Sequence, residues 1–377
     1  MLILDRYLLR QFVQIFVICF LSLIGLYTVI DAFGHLDHFS AYAQEHGNLL
    51  GVIGEYYAYR SLGFFDRTSG VLAMIAAMFT VTWLQRHQEM TAMLAAGISK
   101  FRIVKPLLVA AVVVSLLGTA NRELVIPHFR DQLSRNTKDL GGIQARDMES
   151  RFDGQTDILI GGEKIVSSER QIIQPIFVLP ASLARYGKQL VAENAYYEDA
   201  SEEHPAGYLL DEVTAPPKIG SLPSLRLDDQ VVIVTPRDAD WLEPEQVFVV
   251  SAMPFRLLAD GSAWRNYASM GELITELNSP STDLGADVRV AVHARLLQPL
   301  MDATLLMLGL PLMFSRRRQN LFLSFGICLA AAVAFSLVTL TCQSLGGLGL
   351  LRPTLAAWLP LMLFVPAAAA MSHNLWT

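Results

Sequence analysis

Charge is scarce in this chain. Asp, Glu, Lys and Arg make up 17% of its 377 residues, against 53% that are hydrophobic, and the mean hydropathy is +0.38. Soluble domains carry about a quarter of their residues as charges, so composition excludes an ordinary soluble enzyme and points to a membrane protein. Cysteine is scarcer still: Cys19, Cys328 and Cys342 all lie in apolar runs without CxxC spacing. That excludes a disulfide framework or a zinc site and leaves small packing residues. The eight histidines are scattered and form no HExxH; His35 and His38 share a helix face but read as interfacial polar residues rather than ligands. There is no GxxxxGK[ST] phosphate loop and no nucleophile–base set. The expectation is a chain with no catalytic residue, no metal and no cofactor of its own, and no nucleic-acid partner.

What the sequence has is long apolar runs. A bilayer core takes about 20 mostly apolar helical residues. Phe12–Ile30, Ile103–Ala120, Leu296–Phe314, Leu321–Leu340 and Thr354–Met371 meet or approach that length. A sixth run, Ser69–Leu84, reaches it only by borrowing from the upstream "YAYRSLGFFDRT". The opening "MLILDRYLLRQFVQIF" has charges before its apolar run but no small-residue cleavage site, so it reads as a first membrane helix that stays. Arg6 and Arg10, then Arg86, Lys100, Arg102 and Lys105, then Arg316, Arg317 and Arg318 fall on alternate sides of these spans. The positive-inside rule places all three groups and both termini in the cytoplasm, with only Arg352 in a short outer loop against the bias.

The same topology sends the long insert after span three outward. From Pro127 to His293 there are 15 Lys/Arg and 26 Asp/Glu, net −11 against −6 for the whole chain, so the acidity belongs to the external part. Its segments "DILIGGEKIV", "IIQPIFVLP", "KQLVAENAYYED", "GYLLDEVTAPP", "DQVVIVTP" and "QVFVVSAMPF" are short, Val/Ile-rich and punctuated by Gly, Pro and Asp, which predicts a sandwich, jelly roll or barrel. Ser269 and Glu272 fit a capping box at the exit. The expected fold class is an α-helical membrane protein of three plus three spans with an inserted all-β domain. Its parts are 1–126, 127–293 and 294–377.

Between spans two and three lies "RHQEMTAMLAAGISK", residues 86–100. Met90, Met93, Leu94, Gly97 and Ile98 follow i, i+3, i+4, i+7, i+8 and predict a short amphipathic helix, with Gly97 suiting its end and Ser99 capping the next helix. The pattern leaves two readings open. One is a helix lying in the headgroups. The other is a docking helix, with methionine as an adaptable surface and Glu89 as a carboxylate for a partner's Arg or Lys.

Ionisable residues in the spans also call for a partner or a function, because each costs about 2.5–3.5 kcal/mol at mid-helix. Asp302 lies eight residues beyond Ala294, about 12 Å of helix rise, and should face the protein interior. Arg60, Asp66, Arg67, Arg122 and Glu123 sit at the outer ends of spans two and three. Either Arg60, Arg67 or Arg122 meets anionic headgroups, or these residues snorkel or pair locally, as Arg122–Glu123 and Asp66–Arg67.

"RYLLRQF", "EMTAMLAAGISKFRIVKPLL", "NRELVIP", "HARLLQPL" and "GLGLLRPTLAAWLP" together resemble the lipopolysaccharide-export permease family LptF/LptG, also called YjgP/YjgQ. The matches occur in order and cover both membrane halves. The resemblance implies a six-helix half-permease of an ATP-binding-cassette exporter in the bacterial inner membrane, with a periplasmic β-jelly-roll domain. Its implied partners are a second LptF/LptG-type chain, a dimeric ATPase that uses ATP and Mg in trans, periplasmic LptC/LptA-like jelly-roll proteins, and lipopolysaccharide or a related glycolipid. The family's coupling helix falls on 86–100, and its acidic contact falls on Glu89. One stretch departs from the pattern: the outer end of span one, usually basic, is "DAFGHLDHFS" here, with Asp31, His35, Asp37 and His38. Three competing classes remain. A lipoprotein-releasing or efflux permease usually has four spans and its insert after span one. A lipid-headgroup enzyme would use Asp302 or the His35/His38 pair, and a scaffold would bind no ATPase.

Overall fold

In the computed structural model, residues 3–135, 137, 145–185, 187–201, 204–227, 230–279, 282, 285–313 and 321–376 are described. The chain divides into two compact units, Met1–Leu133 with Gly285–Thr377, and Ser134–Leu284.

The first unit is helical: α1 (Ile3–Gly34), α2 (Leu36–His46), α3 (Leu49–Arg86), α4 (Glu89–Ala95), α5 (Lys100–Ala120), a π-helical turn (Asn121–Val125), α6 (Ile126–His128) and α7 (Arg130–Ser134). Of these, α7 ends one residue into the second unit. After the second unit come three long helices, given below as α11 to α13. Among the described residues five helices are long and apolar enough to cross a membrane: α1, α3, Lys100–His128, Phe325–Gly347 and Pro353–Met371. The short apolar run at Ser69–Leu84 does borrow from upstream, because α3 runs unbroken for 38 residues, with Asn48 capping its start through a bond accepted from the Leu50 N–H. The fourth expected span falls in α11 (Ala286–Met313), which carries Asp287, Arg289, Arg295 and Asp302 and is not among the five. The basic triplet Arg316–Arg318 and Phe314 lie outside the described residues.

Hydrophobic burial gives little drive between helices already in lipid, so close packing decides their association. Ala73, Ala76 and Ala77 on α3 meet Leu107, Ala110, Ala111 and Val114 of α5, and Met301 and Leu305 of α11, in one core. Cys328 and Cys342, on α12 (Leu321–Gly347), are buried as packing residues, Cys19 is half-buried, and all three are free. α13 (Pro353–Trp376) closes the set with Ala357, Leu361 and Ala368 in the core. α1 is the outlier: only Leu8 and Phe12 are buried. It rides on α3 through aromatic contacts, Phe16 and Phe20 on Phe65 and Tyr27 on Tyr57 and Phe64.

The described residues of the second unit form an antiparallel sheet of nine strands in the order β1-β3-β4-β5-β6-β9-β8-β7, with β2 also paired to β3. The strands are β1 (Arg146–Asp147), β2 (Arg151–Asp153), β3 (Ile158–Val166), β4 (Gln171–Val178), β5 (Gln189–Glu198), β6 (Gly207–Ala215), β7 (Leu225–Leu227), β8 (Gln230–Val234) and β9 (Val247–Val250). In β4 the burial alternates from Gln174 onward, with Phe177 inward and Ile176 and Val178 outward, while Ile172 is also buried because the alternation breaks at Gln174, whose φ is +49. The buried Tyr208 donates its hydroxyl to the Met253 carbonyl at 3.1 Å, which satisfies its polar atom within the core. Short helices α8 (Phe255–Ala259), α9 (Trp264–Tyr267) and α10 (Met270–Leu277) follow. The predicted capping box is present: the Ser269 hydroxyl accepts from the Glu272 N–H, and the Glu272 carboxylate accepts from the Ser269 N–H.

Candidate functional site

Two groups of residues carry the functional expectations, and both are in the helical unit. The first is α4. Its seven residues occupy the middle of the predicted 86–100 stretch, because α3 continues through Arg86 and α4 ends at Ala95, two residues before Gly97. Gly97 has φ +80, a left-handed conformation that glycine adopts without a Cβ clash. Around it the Gly97 N–H donates to the Leu94 carbonyl and the Ile98 N–H to the Met93 carbonyl, both at 3.0 Å, which makes a Schellman closure. Ser99 stands at the start of α5 as expected, but its hydroxyl makes no cap bond; only its carbonyl accepts, from Arg102 N–H.

The apolar stripe is split in use. Met90, Met93 and Ile98 pack with Leu4 against Leu8, Leu84 and Ile103, and the two methionines are half-buried there. Leu94 is exposed, with Thr91 and Ala95 beside it. Glu89 opens the helix, and its carboxylate accepts from the Tyr7 hydroxyl of α1, 2.9 Å to Oε2 and 3.2 Å to Oε1.

The second group joins α3, α5 and α11 toward their other ends. Arg122 Nε donates to Asp66 Oδ1 at 2.7 Å, and the two side chains are only 16% and 14% exposed. Glu123, the next residue, faces the other way toward Arg295 at 3.8 Å. The local pairings Arg122–Glu123 and Asp66–Arg67 are therefore replaced by cross-helix ones, as adjacent helical residues point about 100° apart. Arg122 and Glu123 both sit in the π-helical turn that follows α5, where i→i+5 bonding widens the helix and Asn121 Nδ2 donates to the Leu62 carbonyl at 3.0 Å. Such turns recur at functional sites.

Seven residues along α11 from Arg295, Asp302 turns into the bundle as its cost predicts. Ser115 Oγ donates to its Oδ2 at 2.7 Å and Gln298 Nε2 to its Oδ1 at 3.0 Å, while α3 passes it at Gly70. Arg60 Nε donates to the Tyr56 hydroxyl on the same helix at 3.0 Å, and the guanidinium lies over the Tyr56 ring. Arg67 is exposed. At the end of α1, Asp31 accepts from the Tyr57 hydroxyl at 2.6 Å and lies 3.5 Å from His35, whose ring stacks on His38. No group of three or more metal-ligating side chains occurs among the described residues.

Sequence reasoning missed Tyr7, Asp66 as a partner, Ser115, Gln298 and Arg295. Tyr7 lies in "RYLLRQF", and Gln298 and Arg295 in "HARLLQPL", so the motif strings held the signal although spacing gave none. No curated protein matches the chain. A family model does, over residues 6–374, nearly the whole length and both units, and the chain belongs to the family it describes, the lipopolysaccharide export system permease LptF/LptG.

Proposed function

We propose that the chain is one half-permease of an ATP-binding-cassette exporter that extracts lipopolysaccharide or a related glycolipid from the bacterial inner membrane. In this reading α11 adds a sixth span, both termini are cytoplasmic, and the β domain is periplasmic and of jelly-roll type. The partner chains are a second LptF/LptG-type permease, a dimeric ATPase that binds ATP and Mg, and LptC/LptA-like jelly rolls that receive the lipid. Residues 86–100 couple ATP-driven closure to the spans, with Glu89 as the contact and Leu94 on the free side of α4. Arg67, exposed, is the cation placed to meet an anionic headgroup. Arg122 would first have to exchange Asp66 for it, Arg60 is committed to Tyr56, and Asp302 holds the helices beneath them.

The observation that carries this reading is the family match across residues 6–374. Native purification followed by mass spectrometry of bound proteins and lipid tests it. The expected result is an ATPase, a second permease chain and a phosphorylated glycolipid. Glu89→Lys should weaken ATPase co-purification or uncouple hydrolysis from export while leaving membrane insertion intact. Unchanged assembly and unchanged lipid-stimulated turnover in that variant would remove residues 86–100 from the mechanism.

A further inference from the structure

We infer that Tyr7 is a latch on the coupling carboxylate: it occupies the seat on Glu89 that a docking cation needs, so docking on α4 releases the first turns of α1. The inference rests on the reading of α4 as the ATPase contact. A phenol has one proton to donate, yet Tyr7 Oη stands 2.9 Å and 3.2 Å from the two oxygens of Glu89, in the fork of the carboxylate. That fork is where a guanidinium binds bidentately. A partner's arginine cannot take both oxygens while the hydroxyl remains between them.

The rest of α4 makes the exchange consequential. Its C-terminal end is closed by the Schellman bonds at Gly97 and Ile98, whereas Gln88 at its start makes no side-chain cap bond. On the other side of the contact, Leu4 and Leu8 pack with Met90, Met93 and Ile98, and beyond Phe12 α1 has no buried residue. The beginning of α1 is fastened where Tyr7 sits, and its remaining length is held by aromatic contacts on α3, Phe16 and Phe20 on Phe65 and Tyr27 on Tyr57 and Phe64. Tyr7 is itself 40% exposed, so its hydroxyl passes to water when displaced and leaves no buried donor behind.

The test uses the complete permease pair in nanodiscs, with Tyr7→Phe, Glu89→Gln and the double variant, and reads the affinity of the purified ATPase for each. A latch predicts that Tyr7→Phe tightens binding by about threefold to tenfold, the range of one surface hydrogen bond. Glu89→Gln should weaken binding, and adding Tyr7→Phe to it should change nothing more. Hydrogen exchange on the permease without ATPase supplies a second measurement. Residues 3–12 should exchange faster in Tyr7→Phe, and in the unaltered chain they should speed up when ATPase is added. Tyr7→Phe that leaves affinity unchanged, or weakens it as Glu89→Gln does, overturns the latch. Glu89→Gln with unaltered affinity instead overturns the docking reading, and residues 3–12 then exchange faster in Tyr7→Phe without responding to ATPase.

Discussion

Replacing Gly70 with alanine should loosen the helical unit by way of Asp302. A Cβ built at Gly70 stands 2.8 Å from Asp302 Cγ and closer still to Oδ1, so the carboxylate has to move. It is held by Ser115 at 2.7 Å and Gln298 at 3.0 Å, and a shift away from α3 sacrifices at least one of these bonds. A hydrogen bond to a charged group contributes about 1.5–3 kcal/mol. Alanine returns roughly 0.5–1 kcal/mol of helix propensity over glycine. The expected net loss is about 1–2 kcal/mol, a few degrees in thermal unfolding of the full chain in detergent. Gly63→Ala is the internal control, since a Cβ there meets nothing within 4 Å. The decisive measurement is a double-mutant cycle with Asp302→Ala: without the carboxylate, Gly70→Ala should be neutral or stabilising. An equal loss in both backgrounds would refute the argument that Asp302 is what Gly70 makes room for.

Two further outcomes follow from local geometry. Gly97→Ala forces a Cβ into the left-handed region at about 1–2 kcal/mol; the Ile98 amide should then exchange about five- to thirtyfold faster, and Gly97→Asn should do less damage. In the β domain the Ser224 N–H donates to Asp238 at 2.6 Å and holds that carboxyl below the usual carboxylate range. A depressed acid stabilises above its unfolded value, about 3.9, and the contribution disappears as pH falls through the folded one. Protection of the Ser224 amide should therefore fall on acidification below about pH 4 in the unaltered chain, and Asp238→Asn should remove that pH dependence.

How much of this was legible beforehand differed with the range of the interaction. The six longer strands were readable because Val/Ile alternation and Gly/Pro punctuation are local. β1, β2 and β7 have two or three residues, too few for a period of two to register. The stripe of α4 was legible, but not which half of it turns inward, because that depends on Leu8, Leu84 and Ile103 from three other segments. Asp302's inward orientation followed from the cost of its charge in lipid. Its partner Ser115 did not, being 187 residues away along the chain. The local pairings fail for a simple reason: one residue of offset on a helix points two side chains at different neighbours.

The β domain is an insertion between helices that already meet without it. On either side of it in sequence, α5 and the π-helical turn after it are joined directly to α11, through Ser115–Asp302 and Glu123–Arg295. In engineering terms, the helical unit is the chassis and residues 134–284 are an exchangeable head. A graft of another β domain at this junction should therefore leave these two helix-to-helix contacts in place.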